Sequence, residues 1–193
     1  CAQRGTPVPE DAGLLAFARP APPFAGIVRG VSGCGKSTLG ALLAEALRCP
    51  FIEGDDYHSR AAIAKMRGGE PLGDEDRWPW LDRLGNATAG AVAEHGVVVA
   101  ACSALRRCYR DRLRATIGHP VQLVLLDNSR ACLLERLSAR SGHFMPVNLL
   151  DSQLATLERP LADEDALSLA TEEPANRLRE RVLARLDDRQ LLV

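Results

Sequence analysis

Short apolar runs alternate with amphipathic stretches over most of the chain, which predicts strands that alternate with helices. The run Val97–Cys102 is entirely apolar, as is typical of a strand buried on both faces of a parallel sheet. Leu39, Leu43 and Leu47 recur at the spacing of one helix face. The predicted strands are 25–29, 51–53, 97–102, 121–126 and 166–170. The predicted helices are 36–48, 59–67, 76–94, 106–115, 129–140, 147–157 and 174–187. This order indicates an α/β fold in which helices flank a parallel sheet.

Residues 1–23 lack this alternation. They contain five prolines and little periodicity, so we expect a flexible extension in front of one domain at 24–193. The extension has no basic start followed by an apolar core, so no secretory signal is predicted.

Opposite charges nearly cancel along the chain. There are 24 Lys+Arg against 25 Asp+Glu, and aromatic residues make up only 4%. A nucleic-acid-binding domain usually carries excess positive charge, so no nucleic acid is predicted as a partner. The basic run that starts at Arg106 leaves a local nucleic-acid patch open, but the neutral chain favours a solvated helix face with one or two inward arginines.

Apolar runs and cysteines also limit the function class. No apolar run reaches the roughly 18 residues that span a bilayer, so no membrane contact is predicted. The six cysteines form no C-x-x-C pair, which indicates reduced thiols and a cytoplasmic location.

The strongest motif is the run GVSGCGKS at 30–37, which fits the phosphate-loop pattern G-x-x-x-x-G-K-[ST] between a predicted strand and a predicted helix. Backbone N–H groups of such a loop surround phosphates, and Lys36 reaches the β and γ phosphates. The Ser37 hydroxyl is a ligand for Mg²⁺, the predicted cofactor. Lys36 is one of only two lysines in the chain. The predicted ATP-binding residues of the loop are Gly30, Val31, Ser32, Gly33, Cys34, Gly35, Lys36, Ser37 and Thr38.

Acids lie at the carboxyl end of the second predicted strand, at the sheet edge where ligands of open α/β folds bind. No acid ends the run Val97–Cys102, so Mg²⁺ binding and base catalysis are assigned to Glu53 and Asp55. Asp55 is predicted to orient or deprotonate an attacking hydroxyl. The alternative is that these acids only cap the helix that follows.

Several blocks of sequence, in order, resemble the gluconokinases of the small P-loop kinase type. After the phosphate loop the matching blocks are 54–58, 65–66, 69–72, 74–77, 79–81, 102–105, 109–111, 142–146, 149–150, 152–153 and 156–158. The resemblance implies ATP-dependent phosphorylation of D-gluconate on its 6-hydroxyl, giving 6-phospho-D-gluconate and ADP. It also implies a fold similar to adenylate and shikimate kinases, a mobile lid at about 137–157 and a possible homodimer.

The resemblance also assigns roles to individual residues. Asp55 matches the presumed base. The motifs themselves predict Ser37, Asp55 and, through water, Glu53 as Mg²⁺ ligands. Arg136 and Arg140 match lid arginines that bind ATP and act in catalysis. The residues implied to bind the sugar acid are Asp55, His58, Arg60, Lys65, Arg77, Ser103, Arg110, His143 and Gln153.

The residue chemistry agrees with a sugar acid as acceptor. A carboxylate requires Arg or Lys, and hydroxyls require mixed donors and acceptors. For Lys65 the alternative is a solvated helix lysine, and for Arg136 and Arg140, four apart on one predicted helix face, it is a surface role. Arg29 stands where an apolar strand residue is usual, and Glu53 where Asp is common. Two other functions stay open at this point: another small-molecule kinase, of shikimate or nucleoside-monophosphate type, or a nucleotide-binding switch.

Overall fold

Five parallel strands form one sheet. A computed structural model describes residues 22–138 and 147–192. The strands are β1 Phe24–Arg29, β2 Phe51–Glu53, β3 Val97–Cys102, β4 Val121–Asp127 and β5 Leu167–Ala170. Their order across the sheet is β2-β3-β1-β4-β5, and every neighbouring pair is parallel. The parallel sheet and the positions of its strands confirm the fold expected from the hydrophobic pattern.

Helices connect the strands. Within the described residues they are α1 Lys36–Leu47, α2 Arg60–Arg67, α3 Asp74–His95, α4 Arg107–Ile117, α5 Arg130–Ser138, α6 Val147–Thr156 and α7 Ala175–Asp188. Two short 3-10 helices lie at Gly54–Tyr57 and Ala162–Glu164. The α3 helix begins two residues before its predicted start, because Asp76 accepts a hydrogen bond from the Gly73 N–H at 3.2 Å. Asp74, Glu75 and Asp76 lie in this first turn, where their negative charge interacts favourably with the positive end of the helix dipole.

The core lies on both faces of the sheet. All six residues of β3 are buried, as the unbroken apolar run predicts. Leu39 of α1 and Leu178 of α7 belong to the cluster on one face. Trp80 of α3 and Leu113 of α4 belong to the cluster on the other. Full burial of each such side chain stabilises the fold by about 1.5–3 kcal/mol.

The carboxyl ends of three strands meet beside the phosphate-loop sequence. In the register of the sheet Arg29 pairs with Cys102, and Glu53 pairs with Ala101. The segments that follow β1, β2 and β3 therefore leave the sheet side by side. Because β1 is the central strand, the loop that follows it lies between the segments that follow β3 and β4. Open α/β sheets bind ligands at this carboxyl edge.

Arg110 lies in the core, which corrects its assignment to the sugar-acid site. Its side chain is fully buried, and its Nε and Nη2 donate to the two carboxylate oxygens of Glu164, both at 2.5 Å. Its Nη1 donates to the carbonyl oxygens of Leu105 and Glu158, both at 3.1 Å. The bonds from Arg110 lower the pKa of Glu164 to about 2, so the acid is ionised at neutral pH. The guanidinium is therefore saturated by protein groups.

The basic run around α4 is neutralised by three acids of neighbouring elements and by Asp111 of α4 itself. The ion pairs are Arg106–Asp74, Arg107–Asp163, Arg112–Asp82 and Arg114–Asp111. A surface of paired charges does not offer the unpaired cations that a nucleic-acid backbone requires. This favours the solvated face expected from the neutral composition.

Among the helices described, none has both the length and the apolar character to cross a membrane.

Candidate active site

The phosphate loop has a backbone that requires glycine. Gly30 has φ of 149°, and a Cβ there would lie 2.8 Å from both the Cys34 Sγ and the Leu126 carbonyl oxygen. Gly33 and Gly35 also have positive φ, of 81° and 98°. L-residues with a side chain rarely adopt such angles. The loop therefore turns back over the end of β1 and directs its N–H groups into the space before α1.

The α1 helix begins inside this loop, at Lys36. Its N-terminal N–H groups and helix dipole favour an anion there. The Lys36 Nζ donates to the Val31 carbonyl oxygen at 3.1 Å, and Ser37 and Thr38 are exposed at the same end. Burial raises the pKa of the Cys34 thiol, so this cysteine stays protonated at neutral pH.

Arg136 contacts the loop from the last turn of α5. Its Nη1 donates to the Cys34 carbonyl oxygen at 3.4 Å, and its Nη2 donates to the Thr171 carbonyl oxygen. It borders a cavity of about 390 Å³ on this side of the loop. The cavity is lined by Gly33, Cys34, Gly35, Thr38, Leu39, Leu126, Arg136, Thr171, Glu173, Pro174, Ala175 and Leu178. Arg140 and His143 lie outside the described residues, as do residues 139–146 of the expected lid, so their roles stay predictions.

A second cavity, also of about 390 Å³, opens on the other side of the loop. We call it the acceptor cavity. It is lined by Ser32, Lys36, Asp55, His58, Ile63, Met66, Arg67, Glu70, Pro71, Leu72, Arg77, Ser103, Leu149, Ser152 and Gln153. It brings together residues of the phosphate loop with five predicted sugar-acid ligands: Asp55, His58, Arg77, Ser103 and Gln153.

Asp55 is presented by the 3-10 helix that follows β2. Its side chain is 69% exposed. The turn is fixed below it: the Trp80 Nε1 donates to the Gly54 carbonyl oxygen at 2.7 Å, and a Cβ on Gly54 would lie 2.5 Å from the Ala101 carbonyl oxygen. These contacts hold the backbone that carries Asp55, whose carboxylate lines the cavity. Glu53, one residue before the turn, is half-buried at the end of β2 and is not part of the cavity lining.

His58 forms a wall of the cavity as a neutral imidazole. It stacks on Trp80 with ring centroids 4.4 Å apart. Burial lowers the pKa of His58, so it is uncharged at pH 7. Its Nε2 lies 3.9 Å from the Asp55 Oδ1, too far for a hydrogen bond. A neutral imidazole offers one donor and one acceptor, which suits a hydroxyl.

Arg77 supplies positive charge to the cavity. Its Nε donates to the Leu72 carbonyl oxygen at 3.3 Å, and its guanidinium lies 5.5 Å from the centre of the Tyr109 ring. Burial lowers the pKa of Arg77, but an arginine remains charged at neutral pH. The Tyr109 hydroxyl donates to Asp74, so the ring under Arg77 is held in place.

Two other predicted ligands do not line the cavity. The Lys65 Nζ binds both carboxylate oxygens of Asp76, at 2.9 and 2.8 Å, and this bond raises the pKa of Lys65 and lowers that of Asp76. Arg60 is exposed in the first turn of α2. The bond between Lys65 and Asp76 cannot be read from the sequence, because it depends on how α2 is placed against α3. The assignment of Lys65 and Arg60 to the sugar acid stays a prediction.

The sequence reading also missed part of the cavity wall. The additional residues are Ile63, Met66, Arg67, Glu70, Pro71, Leu72, Leu149 and Ser152. Ile63, Met66 and Arg67 stand at positions i, i+3 and i+4 of α2, which share one helix face. That spacing is the available signal in the sequence, and it identifies the face of α2 that borders the cavity.

The oxygen donors at the loop suit Mg²⁺. Among the described residues no group of three or more His, Cys, Asp or Glu side chains forms a metal cage. Mg²⁺ seldom needs one: it keeps several waters and takes one or two carboxylates together with nucleotide phosphates. The exposed Ser37 hydroxyl and the Asp55 carboxylate offer this kind of incomplete donor set.

A phosphate loop after the central strand of a parallel sheet, with an acceptor cavity beside it, defines the class of P-loop small-molecule kinases. Comparison with known proteins agrees. The family model described as AAA domain (AAA_33) matches residues 26–160. A shikimate kinase from Acinetobacter baumannii shares the fold alone, at 19% identity and a TM-score of 0.57, over 88% of this chain and 96% of that chain.

Two relatives are closer. A probable gluconokinase of Schizosaccharomyces pombe is 40% identical over 152 residues, which are 76% of this chain and 79% of that protein. The crystal structure of a gluconokinase from Sinorhizobium meliloti 1021 is 43% identical, with a TM-score of 0.78 over 86% of this chain and 93% of that chain. The chain belongs to the gluconokinase family. The resemblance seen in the sequence is thereby confirmed, and the comparisons do not favour a nucleotide-binding switch.

Proposed function

We propose that the protein is a gluconokinase that transfers the γ-phosphoryl group of ATP to the 6-hydroxyl of D-gluconate. The observation that carries the proposal is the acceptor cavity. It is lined both by Lys36 of the phosphate loop and by Asp55, with Arg77 on the wall. A phosphate-binding lysine, a candidate base and an anion-binding arginine thus border one space.

ATP is held from the other side of the loop. Its phosphates bind the loop N–H groups and Lys36, and its nucleoside occupies the cavity next to Arg136. Ser37 and Asp55 would hold Mg²⁺, with Glu53 acting through water, and the ion would supply positive charge to the nucleotide phosphates.

D-gluconate fits the polar groups of the acceptor cavity. Arg77 binds its carboxylate, since a guanidinium offers several donors to one anion. His58, Ser103 and Gln153 bind its hydroxyls. The apolar part of the wall, which includes Ile63 and Leu72, excludes water from the reacting groups.

The chemical step is an in-line displacement at phosphorus. The 6-hydroxyl oxygen forms a bond to the γ-phosphorus, and the bond from that phosphorus to the β–γ bridging oxygen breaks. The hydroxyl proton passes to the Asp55 carboxylate and then to water. Lys36 and Arg136 stabilise the negative charge that develops on the transferred group and on ADP.

The proposal includes a cytoplasmic location and a homodimer. The described cysteines are all free thiols, which supports a cytoplasmic enzyme. The homodimer expected from the resemblance is part of the proposal, and sedimentation equilibrium of the purified protein tests it.

An acceptor screen tests the function. Purified protein receives Mg·ATP with D-gluconate, other sugar acids, shikimate or AMP, and ADP release is followed. We expect gluconate to stimulate ADP release far above background hydrolysis. Stimulation by shikimate or AMP but not by gluconate would assign the chain a different acceptor.

A further inference from the structure

One side chain joins the acceptor cavity to the phosphate loop. The Ser32 N–H donates to the Gln153 Oε1 at 2.7 Å, although the two residues are 121 positions apart. Both residues line the acceptor cavity. Gln153 lies on α6, so this helix contacts the phosphate loop directly.

This contact uses a group that ATP needs. Backbone N–H groups of a phosphate loop bind phosphate oxygens, and here the amide oxygen of Gln153 takes the place of such an oxygen at Ser32. Lys36 is engaged in a similar way, because its Nζ donates to the Val31 carbonyl oxygen. Two donors of the loop are thus satisfied internally, and ATP must replace both partners.

The same amide also faces the acceptor. A glutamine side chain has one oxygen that accepts hydrogen bonds and one NH₂ group that donates them. When the Oε1 is bound to Ser32, it is less available to a hydroxyl in the cavity. A hydroxyl that takes the Oε1 frees the Ser32 N–H for a phosphate.

The helix that carries Gln153 packs against the core. Leu149 and Leu150 of α6 are 8% and 0% exposed, and Asp151 accepts a hydrogen bond from the Arg130 Nε at 2.7 Å. Because α6 packs against the core through these leucines and pairs with α5 through Asp151, the Gln153 amide lies at Ser32. Ser152 lines the same cavity from the same helix, and the bond to the loop is made by Gln153.

We propose that Gln153 is a positioning residue that couples the binding of ATP and the sugar acid, which rests on the proposed function. The bond between Ser32 and Gln153 breaks when either ligand binds. The first ligand bears the free-energy cost of breaking it, and the second does not, so each ligand increases the affinity for the other. The expected factor is about fivefold, the equivalent of one net hydrogen bond.

Calorimetric titration of the full chain tests the proposal. The ligands are a non-hydrolysable ATP analogue with Mg²⁺, and D-gluconate, each alone and each in the presence of the other. In the wild type we expect the Kd of each ligand to fall about fivefold when the other is saturating. In Gln153→Ala the factor should fall to about one, and the analogue alone should bind up to about fivefold more tightly, because it no longer displaces the amide.

The tighter nucleotide binding of Gln153→Ala separates coupling from simpler roles. A residue that only contacts gluconate leaves the affinity for the analogue unchanged, and a residue that only maintains the fold weakens it. Ser152→Ala is the matched control, and its coupling factor should stay at the wild-type value even if gluconate binds more weakly. An unchanged factor in Gln153→Ala, or weaker binding of the analogue, overturns the proposal.

The two proposals fail differently. If gluconate gives no heat with the wild type, the acceptor assignment is wrong. The titration of the analogue alone still decides the role of Gln153, since it requires no acceptor.

Discussion

Replacing Glu164 by glutamine tests the placement of Arg110 in the core. The substitution keeps the shape of the side chain but removes the charge that faces a fully buried guanidinium. The pKa of Glu164 is lowered from 4.5 to about 2. Each pKa unit corresponds to about 1.4 kcal/mol, so the ionised acid contributes about 3 kcal/mol to the free energy of unfolding at pH 7. No large discount for solvent applies, because the side chain is 1% exposed.

The pH dependence has a definite sign. The folded pKa lies below the unfolded value, so the contribution is complete above pH 4.5 and is lost as the pH falls toward 2. Urea unfolding, followed by circular dichroism, gives the free energy of unfolding of both proteins at several pH values. We expect Glu164→Gln to be about 3 kcal/mol less stable at pH 7, with about half of that difference left near pH 3.

A control and a kinetic readout complete this test. Asp163→Asn removes the neighbouring acid, which forms an exposed pair with Arg107, and should have a much smaller effect on stability. Glu164 does not line the acceptor cavity, so the KM for gluconate should stay near the wild-type value. Equal stability of wild type and Glu164→Gln at pH 7, or a difference that does not vary with pH, would refute the reasoning.

Three further predictions concern the site. Asp55→Asn should lower kcat by at least about 100-fold with little change in the Kd of a non-hydrolysable ATP analogue, and a nearly normal kcat would remove Asp55 from the role of base. Arg77→Met should lower kcat/KM for gluconate by about 10- to 100-fold, mainly through KM, and an unchanged KM would show that another group binds the carboxylate. Gly30→Ala should abolish calorimetric binding of the ATP analogue, because its Cβ would lie 2.8 Å from the Leu126 carbonyl oxygen. Binding at wild-type affinity by this variant would contradict the loop geometry.

Local patterns predicted the parts of this protein that depend on neighbouring residues. The phosphate loop is predictable because its glycines and Lys36 lie within eight consecutive residues, 30–37. The run Val97–Cys102 was readable as a buried strand because every residue in it is apolar. The place of Asp55 beside the phosphate loop is predictable because the carboxyl ends of parallel strands share one edge of the sheet.

Contacts between distant segments were not predictable in this way. The matching block around Arg110 predicts a substrate role for it, but its partner Glu164 is 54 residues away in the sequence. Likewise, the pairing of Lys65 with Asp76 depends on how two helices pack. Gln153 was expected to bind the sugar acid, yet no local pattern reports that its amide oxygen accepts from the phosphate loop.

The nature of the product tests the central claim most directly. After incubation of the protein with Mg·ATP and D-gluconate, ³¹P nuclear magnetic resonance identifies the phosphorylated carbon from the protons coupled to phosphorus. The proposed function predicts one organic phosphate ester, coupled to the two protons of C6, formed in equal amount to ADP. A phosphate on a secondary hydroxyl, or inorganic phosphate as the only partner of ADP, would contradict it.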